Sequence, residues 1–176
     1  GVAVLSREPA TDVITDLPGL KDPQRRVLGA TIGPIRFLDI YVPNGQSVGS
    51  EKYAYKLDWL AACQDYIADQ LAHHEHFAVV GDFNCRTDER LHEVLHMHDF
   101  VNAMEHAGGG VHATMDTAGI EPQFIDHIYL SASLIPYTKN ARVVRDEGFR
   151  HDAPLPVGKW VHSDHLPVVV ELDLPE

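Results

Sequence analysis

Residues that can bind a phosphate or orient a water molecule occur in this sequence beside short apolar runs. Asp82 and Asn84 follow the apolar residues 77–80 after a single glycine. If the strand continues, its two-residue period places both side chains on one side. A carboxylate beside a carboxamide can orient a water molecule and contact a phosphate oxygen. On these residues alone, a strand that ends in an Asx turn is an equally good interpretation.

Two further motifs pair an aspartate with a histidine. Asp164 and His165 follow Ser163 and precede the apolar run Leu166–Leu172. Such a pair at the entrance of a strand can bind a metal or hold an oriented imidazole. Asp126 also lies inside an apolar run and is followed directly by a histidine. A carboxylate within a strand needs a partner, and an imidazole is a suitable one.

A fourth motif ends an apolar run in a turn. Residues 41–45 read Tyr-Val-Pro-Asn-Gly, so that Tyr41 and Asn44 are displayed where the run ends. Taken alone, this motif indicates only a turn.

Residues 92–96 spell HExxH, the helix signature of zinc proteases, in which both histidines bind zinc and the glutamate is the base. The chain contains 12 histidines, so accidental matches are easier than usual. We favour an ordinary amphipathic helix, in which Leu91, Val94 and Leu95 point inward and the other face is solvated.

Strands and helices must position these motifs. Five runs rich in β-branched, aliphatic and aromatic residues predict strands. These are Val2–Ser6, Ile35–Tyr41, Phe77–Gly81, Ile125–Ser131 and Val168–Leu172. One strand-helix-strand unit combined with strands joined by loops predicts an α/β fold. In this fold, layered sheets have helices outside them, unlike a purely doubly wound sheet.

Three segments predict helices. They are Glu51–His73, Glu89–His98 and Asp99–His106. In the first, Ser50 is a suitable N-cap, and Leu57, Leu60 and Ile67 belong to an apolar stripe with spacings of three and four residues.

Length and composition predict one soluble domain that covers residues 1–176. The chain is long enough to bury a core, and its 44% hydrophobic and 23% charged content is ordinary. Its apolar runs are too short for a membrane span. Two cysteines suggest no disulfide framework, which predicts a reducing cytoplasm. Because Gly1 opens directly into a strand-like run without Met, a fragment or processed chain is expected.

The net charge of −12 weakens a nucleic-acid interpretation but does not remove it. A metal site needs clustered carboxylates, and bound cations reverse their local sign. Basic residues that follow the first two strand-end motifs have two equally good interpretations, a phosphate track or helix-surface charge. They are Lys52, Lys56, Arg86 and Arg90.

Taken in order, the four motifs resemble those of the endonuclease/exonuclease/phosphatase family, which read YxPN, GDFN, a strand-borne Asp and SDH. Residues 1–84 look specifically like bacterial exonuclease III, through residues 1–7, Asp22–Arg26 and Tyr41–Leu60. The resemblance implies a DNase I-like two-sheet β-sandwich flanked by helices, only part of which is present, with its site at one edge. It also implies a monomeric DNA repair nuclease that uses Mg²⁺ or Mn²⁺ as a 3′–5′ exonuclease or abasic-site endonuclease.

The resemblance implies catalytic roles for the matching residues. Asp82 would position or deprotonate the attacking water, and Asn84 would hold that water or a phosphate oxygen. His165, oriented by Asp126, would bind the scissile phosphate and stabilise developing charge.

The resemblance also implies ligands for the metal and the substrate. Asp164, together with Asp82, would bind the metal directly or through water. Tyr41 and Asn44 would contact the phosphate near the leaving group.

The sequence also departs from the family. Family members carry an Asn and a metal-binding Glu ahead of the matched part, and Glu8 lies in a different context. Residues 86–123 are His-rich and contain no Trp, unlike the aromatic loop that supports recognition of abasic sites. Alternative functions are therefore a family phosphoesterase acting on inositol phosphates, lipids or nucleotides, or a catalytically inactive binding module.

Overall fold

The computed structural model describes residues 1–20, 22–85, 90–110, 112–115, 121–145 and 163–175. Within these ranges the chain forms eight strands, three α-helices and one 3₁₀ helix, Ala132–Tyr137. The strands are β1 (Thr11–Ile14), β2 (Val27–Ile32), β3 (Ile35–Tyr41), β4 (Phe77–Asp82), β5 (Val101–Asn102), β6 (Asp126–Leu130), β7 (Thr138–Val143) and β8 (Val168–Leu172). The α-helices are α1 (Glu51–Leu71), α2 (Arg90–Met97) and α3 (Ala103–Ala107).

The strands form two sheets. The larger sheet has the order β1-β2-β3-β4-β6-β5, and β7 pairs with β8 in the smaller one. Only β3 and β4 pair in parallel in the described larger sheet, and α1 connects them. Since a parallel pair needs a long crossover, this helix explains how two consecutive strands can end at the same edge. The predicted α/β fold with two sheets and flanking helices is confirmed.

Alternation along β3 separates two apolar cores on opposite faces of the larger sheet. Leu38 and Ile40 are fully buried on the face that packs against α1 and α2. Trp59 of α1 is fully buried in the same core. Phe37 points to the other face and contributes to a second core with residues of α3, β7 and β8. The period of two therefore gives both faces of β3 an apolar partner.

The strand predictions are confirmed for β3, β4, β6 and β8, to within one residue at each end. The prediction for Val2–Ser6 is wrong, because these residues form no strand. An apolar run becomes a strand only where neighbouring backbone groups pair with it. At the β2 side of the larger sheet, the segment that pairs is Thr11–Ile14. The sequence also gave no indication of β2 or β7, whose segments contain Gly, Ala, Lys and Asn.

Helix α1 begins where predicted. The Ser50 side chain accepts a hydrogen bond from the backbone N–H of Tyr53 at 3.1 Å, which caps the helix. The predicted apolar stripe is confirmed only in part, because Ile67 is fully buried but Leu57 is 45% exposed, and Trp59, which was not in the stripe, is fully buried. In a long amphipathic helix, two stripes that are displaced by one or two residues can both show spacings of three and four. Periodicity alone therefore does not identify the buried face.

The other two helices are shorter than predicted. Helix α2 ends at Met97, one residue before the predicted end at His98, and Glu89 lies outside the described residues. The prediction that a helix begins at Asp99 is wrong, because Val101 and Asn102 pair with β6 and form β5 before α3 begins. Asn102 then caps α3 by accepting a hydrogen bond from the Met104 N–H at 3.0 Å.

Within the described ranges, no helix has both the length and the apolar content that a membrane crossing requires. Cys63 and Cys85 are both buried cysteines. The cytoplasmic location and the monomeric state stay predictions.

Gly81, directly before the site residue Asp82, has no room for a side chain. A Cβ added there would lie 2.0 Å from the Ile40 carbonyl oxygen, and the φ angle of +127° is unfavourable for other residues. We expect Gly81→Ala to lower the free energy of unfolding by about 3 kcal/mol or more, because backbone would have to move. Urea unfolding measures this loss.

Gly49→Ala is the matched control for Gly81→Ala. Gly49 also has a positive φ, +87°, but a Cβ added there meets nothing within 4 Å. Its cost should be only the conformational one, about 1 kcal/mol. Equal losses for the two variants would contradict the steric explanation.

Candidate active site

Strand register brings three of the predicted site residues into one row. Tyr41 on β3 pairs with Asp82 on β4, and Asp82 pairs with Asp126 on β6. Paired residues on neighbouring strands direct their side chains to the same face of the sheet. The ends of three adjacent strands therefore present a phenol and two carboxylates side by side.

Asn84 fixes the carboxylate of Asp82 in a tight turn. Its backbone N–H donates to Asp82 Oδ1 at 2.8 Å, and its φ angle is +45°. Its side-chain Nδ2 donates to the Val42 carbonyl at 2.9 Å. The Asx turn that was one of two interpretations is thus present, and it serves to orient the carboxylate.

The turn that carries Asn44 contacts the same loop. Asn44 Nδ2 donates to Asn84 Oδ1 at 3.3 Å, and Asn44 is exposed. The two carboxamides therefore lie together next to the row of strand ends. The Asn84 Nδ2 already donates to the Val42 carbonyl, so Asn84 would have to exchange this hydrogen bond in order to donate to a substrate.

Asp126 and His165 form a close pair. His165 Nδ1 lies 3.0 and 2.9 Å from the two carboxylate oxygens of Asp126. This arrangement directs the Nδ1 proton to Asp126 and leaves Nε2 for another partner. Asp164 lies in the bend before His165, and its negative charge raises the pKa of that histidine.

Thr114 holds the Asp126 carboxylate and was not found from the sequence. The Thr114 hydroxyl donates to Asp126 Oδ2 at 2.6 Å and accepts from the Asp126 backbone N–H at 3.1 Å. Thr114 is fully buried. A threonine outside any recognisable motif gives no signal in the sequence, so only the fold identifies this residue.

The charges of the pair favour a protonated imidazole. Burial by itself lowers the pKa of His165, but the hydrogen bond and the negative charge of Asp126 outweigh it, and the pKa is raised. The charges of Asp82 and Asp164 act in the same direction. A histidine that is more readily protonated is suited to contacting a phosphate anion.

The pKa of Asp82 is raised mainly by burial. The backbone N–H of Asn84 opposes this shift, and the nearby charge of Asp126 adds to it. The charges of His165 and Arg26 lower the pKa without cancelling the effect of burial. A partly buried carboxylate whose pKa is raised is a suitable base or cation ligand.

An open cleft of about 690 Å³ runs beside these residues. Its polar lining includes Asp39, Asp82, Asp126 and His165. Its other walls are largely apolar. A smaller cleft of about 330 Å³ shares Asp39, Asp82 and His165 and adds Tyr41. The site residues therefore face a common space that is open to a substrate.

Asp39 is a second residue that was missed. It lies two residues before Tyr41 on the same face of β3, and burial raises its pKa to about 6. The backbone N–H of Ala3 donates a hydrogen bond to its carboxylate, which opposes the shift. A carboxylate inside an apolar strand was the signal that identified Asp126, and it applies equally to Asp39.

The carboxylates fit a hydrated cation better than a closed protein cage. Among the described residues, no group of three or more His, Cys, Asp or Glu side chains is arranged to hold a metal ion. Mg²⁺ usually keeps several waters and binds through one or two carboxylates plus substrate phosphates. Oxygen donors on one side of an open cleft, such as those of Asp39 and Asp82, suit that mode of binding.

The basic residues that follow the strand-end motifs do not all lie on the surface. Lys56 is only 4% exposed, and its Nζ donates to the Asn84 carbonyl at 3.2 Å, so the interpretation as surface charge is wrong. Lys52 is exposed. The side chains of Arg86 and Arg90 lie outside the described residues. Arg26, which was not singled out, has its guanidinium 4.5 Å from the centre of the Tyr41 ring.

The HExxH segment is part of the core on one side. Leu91, Val94 and Leu95 are buried as predicted. His92, expected on the solvated face, is also fully buried, and its Nδ1 lies 2.7 Å from the Tyr129 hydroxyl. Glu93 and His96 are exposed. This arrangement gives no support to zinc binding by the motif, because among the described residues His92, Glu93 and His96 do not form a group that could hold a metal ion.

His127 lies behind the site, against the ring of His92 at a centroid distance of 4.6 Å. It is 1% exposed, and burial lowers its pKa from 6.5 to about 3. The unfolded chain therefore binds a proton below pH 6.5 that the folded chain excludes. Stability should accordingly fall as the pH drops from 6.5 towards 3, by about 2 kcal/mol between pH 7 and pH 5.

His127→Phe tests this expectation, because the variant keeps an aromatic ring and cannot titrate. We expect the difference in unfolding free energy between pH 7 and pH 5, measured in urea, to shrink by about 2 kcal/mol in the variant. Equal pH dependence in the two proteins would show that His127 is not held neutral.

Comparisons with known proteins concern the family and the fold of this chain. Residues 1–165 match the endonuclease/exonuclease/phosphatase family. No curated protein matches the sequence. Three solved structures are similar over nearly the whole chain.

The first is NExo, a 3′ phosphatase from Neisseria, in a variant bound to a product DNA hairpin. It is 26% identical with a TM-score of 0.82, over 96% of this chain and 73% of that one. NExo from Neisseria meningitidis, described as a 3′–5′ exonuclease, is 26% identical with a TM-score of 0.81 over the same shares. An AP endonuclease from Archaeoglobus fulgidus is 20% identical with a TM-score of 0.79, over 95% and 72%, and supports the fold alone.

Proposed function

This chain belongs to the endonuclease/exonuclease/phosphatase family, and from that membership we propose that it hydrolyses phosphodiester bonds of DNA with Mg²⁺ or Mn²⁺. Family and neighbours indicate a hydrolase of the phosphoesterase or nuclease type. The observation that carries the proposal is the Asp126–His165 pair, which faces an open cleft. Within this pair, Asp126 lies beside Asp82 on the adjacent strand.

Hydrolysis of a phosphodiester requires a positioned water molecule and a donor for the charge that develops on phosphate. Asp82 orients the attacking water and accepts its proton, since its carboxylate is fixed by the Asn84 N–H at 2.8 Å. His165 donates from Nε2 to a phosphate oxygen, while Asp126 holds its Nδ1. Asp82, with Asp164 as the resemblance implies, would hold Mg²⁺ or Mn²⁺, and the cation would neutralise the phosphate charge.

The remaining predicted residues orient the substrate. Tyr41 pairs with Asp82 in the sheet, and its phenol would contact the phosphate near the leaving group. Asn44 is exposed beside Asn84, so its carboxamide can reach a phosphate oxygen. These contacts would fix the phosphodiester with respect to the water that Asp82 holds.

DNA is the substrate class that the neighbours favour. The two Neisseria structures, each 26% identical to this chain, concern 3′-end chemistry, and one contains a DNA hairpin. We infer that this chain acts at DNA 3′ ends as an exonuclease on the terminal phosphodiester bond, and hydrolysis of a terminal 3′ phosphomonoester is the second candidate activity. The net charge of −12 makes a bound cation more important, because the protein otherwise repels the DNA backbone.

A panel of substrates with Mg²⁺ or Mn²⁺ tests the proposal. The substrates are duplexes with a recessed 3′ hydroxyl, a 3′ phosphate or an internal abasic site, a single strand, and an inositol phosphate. We expect shortening of the 3′ strand or release of the 3′ phosphate, with EDTA as the control. Turnover of the inositol phosphate alone would contradict DNA as the substrate, and turnover of nothing would contradict hydrolysis by this chain.

A further inference from the structure

Lys56 is a buried cation that points at the loop containing Asn84. It lies on α1, is 4% exposed, and donates from Nζ to the backbone carbonyl of Asn84 at 3.2 Å. Burying an ammonium group is costly unless acceptors replace its water. Ordinary surface solubility does not explain a lysine at this position, because the charge is withdrawn from solvent.

The carbonyl that Lys56 contacts belongs to a residue in a left-handed conformation. Asn84 has a φ of +45°, which asparagine tolerates better than most residues with a side chain but less well than glycine. This conformation is also the one in which the Asn84 N–H donates to Asp82 Oδ1 at 2.8 Å. A donor on the carbonyl side of Asn84 stabilises the turn that orients the Asp82 carboxylate.

The stem of Lys56 contacts the neighbouring loop as well. A Cβ added at Gly45 would lie 2.9 Å from Lys56 Cδ, so the lysine packs closely on that glycine. Gly45 follows Asn44, whose Nδ2 donates to Asn84 Oδ1 at 3.3 Å. The Gly45 carbonyl also accepts from the Ser50 hydroxyl at 3.1 Å, which anchors this loop to the start of α1.

We propose that Lys56 is a positioning residue that holds the Asn44 loop against the Asn84 loop and thereby fixes the orientation of Asp82 during hydrolysis. The proposal rests on the function proposed above. Lys56 acts through the Asn84 carbonyl and does not contact the reacting phosphate. Its loss should therefore lower kcat and leave KM nearly unchanged, since a small displacement of a catalytic group reduces the rate far more than it reduces binding.

The test compares three variants at saturating Mg²⁺. Lys56→Met keeps an unbranched stem but has no donor, and we expect kcat to fall about 10- to 100-fold with KM within about twofold. Lys56→Arg restores a cationic donor and should recover part of the rate. Lys139→Met is the control, because that lysine is 60% exposed on β7 and pairs with Asp173. An unchanged kcat in folded Lys56→Met, or no recovery in Lys56→Arg, would overturn the proposal.

Hydrogen exchange separates this proposal from the proposed function. In Lys56→Met the Asn84 amide, which donates to Asp82, should exchange faster than in the parent and in Lys139→Met. Inactivity of the parent on every substrate would refute the proposed function. Faster exchange of the Asn84 amide in Lys56→Met would still support the role of Lys56 in holding the loop, and unchanged exchange would overturn it. If Lys56→Met does not fold, Lys56→Gln is measured instead. Its shorter, neutral amide is a weaker donor, so the Asn84 amide should still exchange faster than in the parent, and unchanged exchange would overturn the proposal.

Discussion

Asp82→Asn should lower kcat for phosphodiester hydrolysis by about 10²- to 10⁴-fold, because it removes the group that accepts the proton of the attacking water. The variant keeps an oxygen that can accept the Asn84 N–H, so the turn is retained. Single-turnover cleavage of a labelled duplex at saturating Mg²⁺ measures the loss.

The same substitution should not destabilise the fold. Because burial raises the pKa of Asp82, the folded chain disfavours its charged form, and a neutral asparagine removes that cost. The urea midpoint at pH 7 should therefore be equal to or higher than that of the parent. Asp173→Asn, at a carboxylate that is 71% exposed, is the control for both measurements. A kcat within tenfold of the parent would rule out Asp82 as the base.

The second large effect concerns the Asp126–His165 pair. We expect His165→Gln to reduce kcat by about 10²- to 10³-fold, because it removes a donor to the phosphate oxygens. Asp126→Asn should cause a loss of similar size, since an amide no longer selects the tautomer and orientation of His165. Rates measured on one DNA substrate give both values.

The double variant decides whether the pair acts as a unit. If Asp126 acts only through His165, the double variant should be no slower than the slower single variant. Losses that multiply would mean that the two residues act independently. Urea unfolding of all three variants provides the control that they are folded.

The sequence predicted the strands that carry the site because a polar group lies at one end of an apolar run in each of them. β3 and β4 were predicted nearly to the residue, and Tyr41 and Asp82 lie at their ends. What the sequence could not provide was the register that pairs Asp82 with Asp126, because pairing between distant segments depends on the whole sheet.

Residues that support the site were harder to predict than those in the motifs. Thr114 and Lys56 act through hydrogen bonds to residues 12 and 28 positions away, and neither belongs to a local pattern. Lys56 also differs from what its residue type suggests, because lysine is mostly exposed whereas Lys56 is buried with its Nζ donating to the Asn84 carbonyl. Asp39 is different, because a carboxylate in the apolar run of β3 was visible in the sequence.

Val2–Ser6 illustrates the limit of local propensity. Its composition is that of a strand, yet it lies without a ladder beside the cleft, with the Ala3 N–H on the Asp39 carboxylate. Propensity reports how well a segment fits a sheet, but pairing requires a free edge next to it.

Single-turnover cleavage of a DNA duplex with a recessed 3′ end, with Mg²⁺ titrated, tests the central claim most directly. The claim is that Asp82 and the Asp126–His165 pair hydrolyse phosphodiester bonds with a bound cation. The parent should cleave at a rate that rises to a plateau with Mg²⁺ and disappears with EDTA, and both Asp82→Asn and His165→Gln should lose about 10²-fold or more. Cleavage that persists in both variants, or that needs no divalent cation, would contradict it.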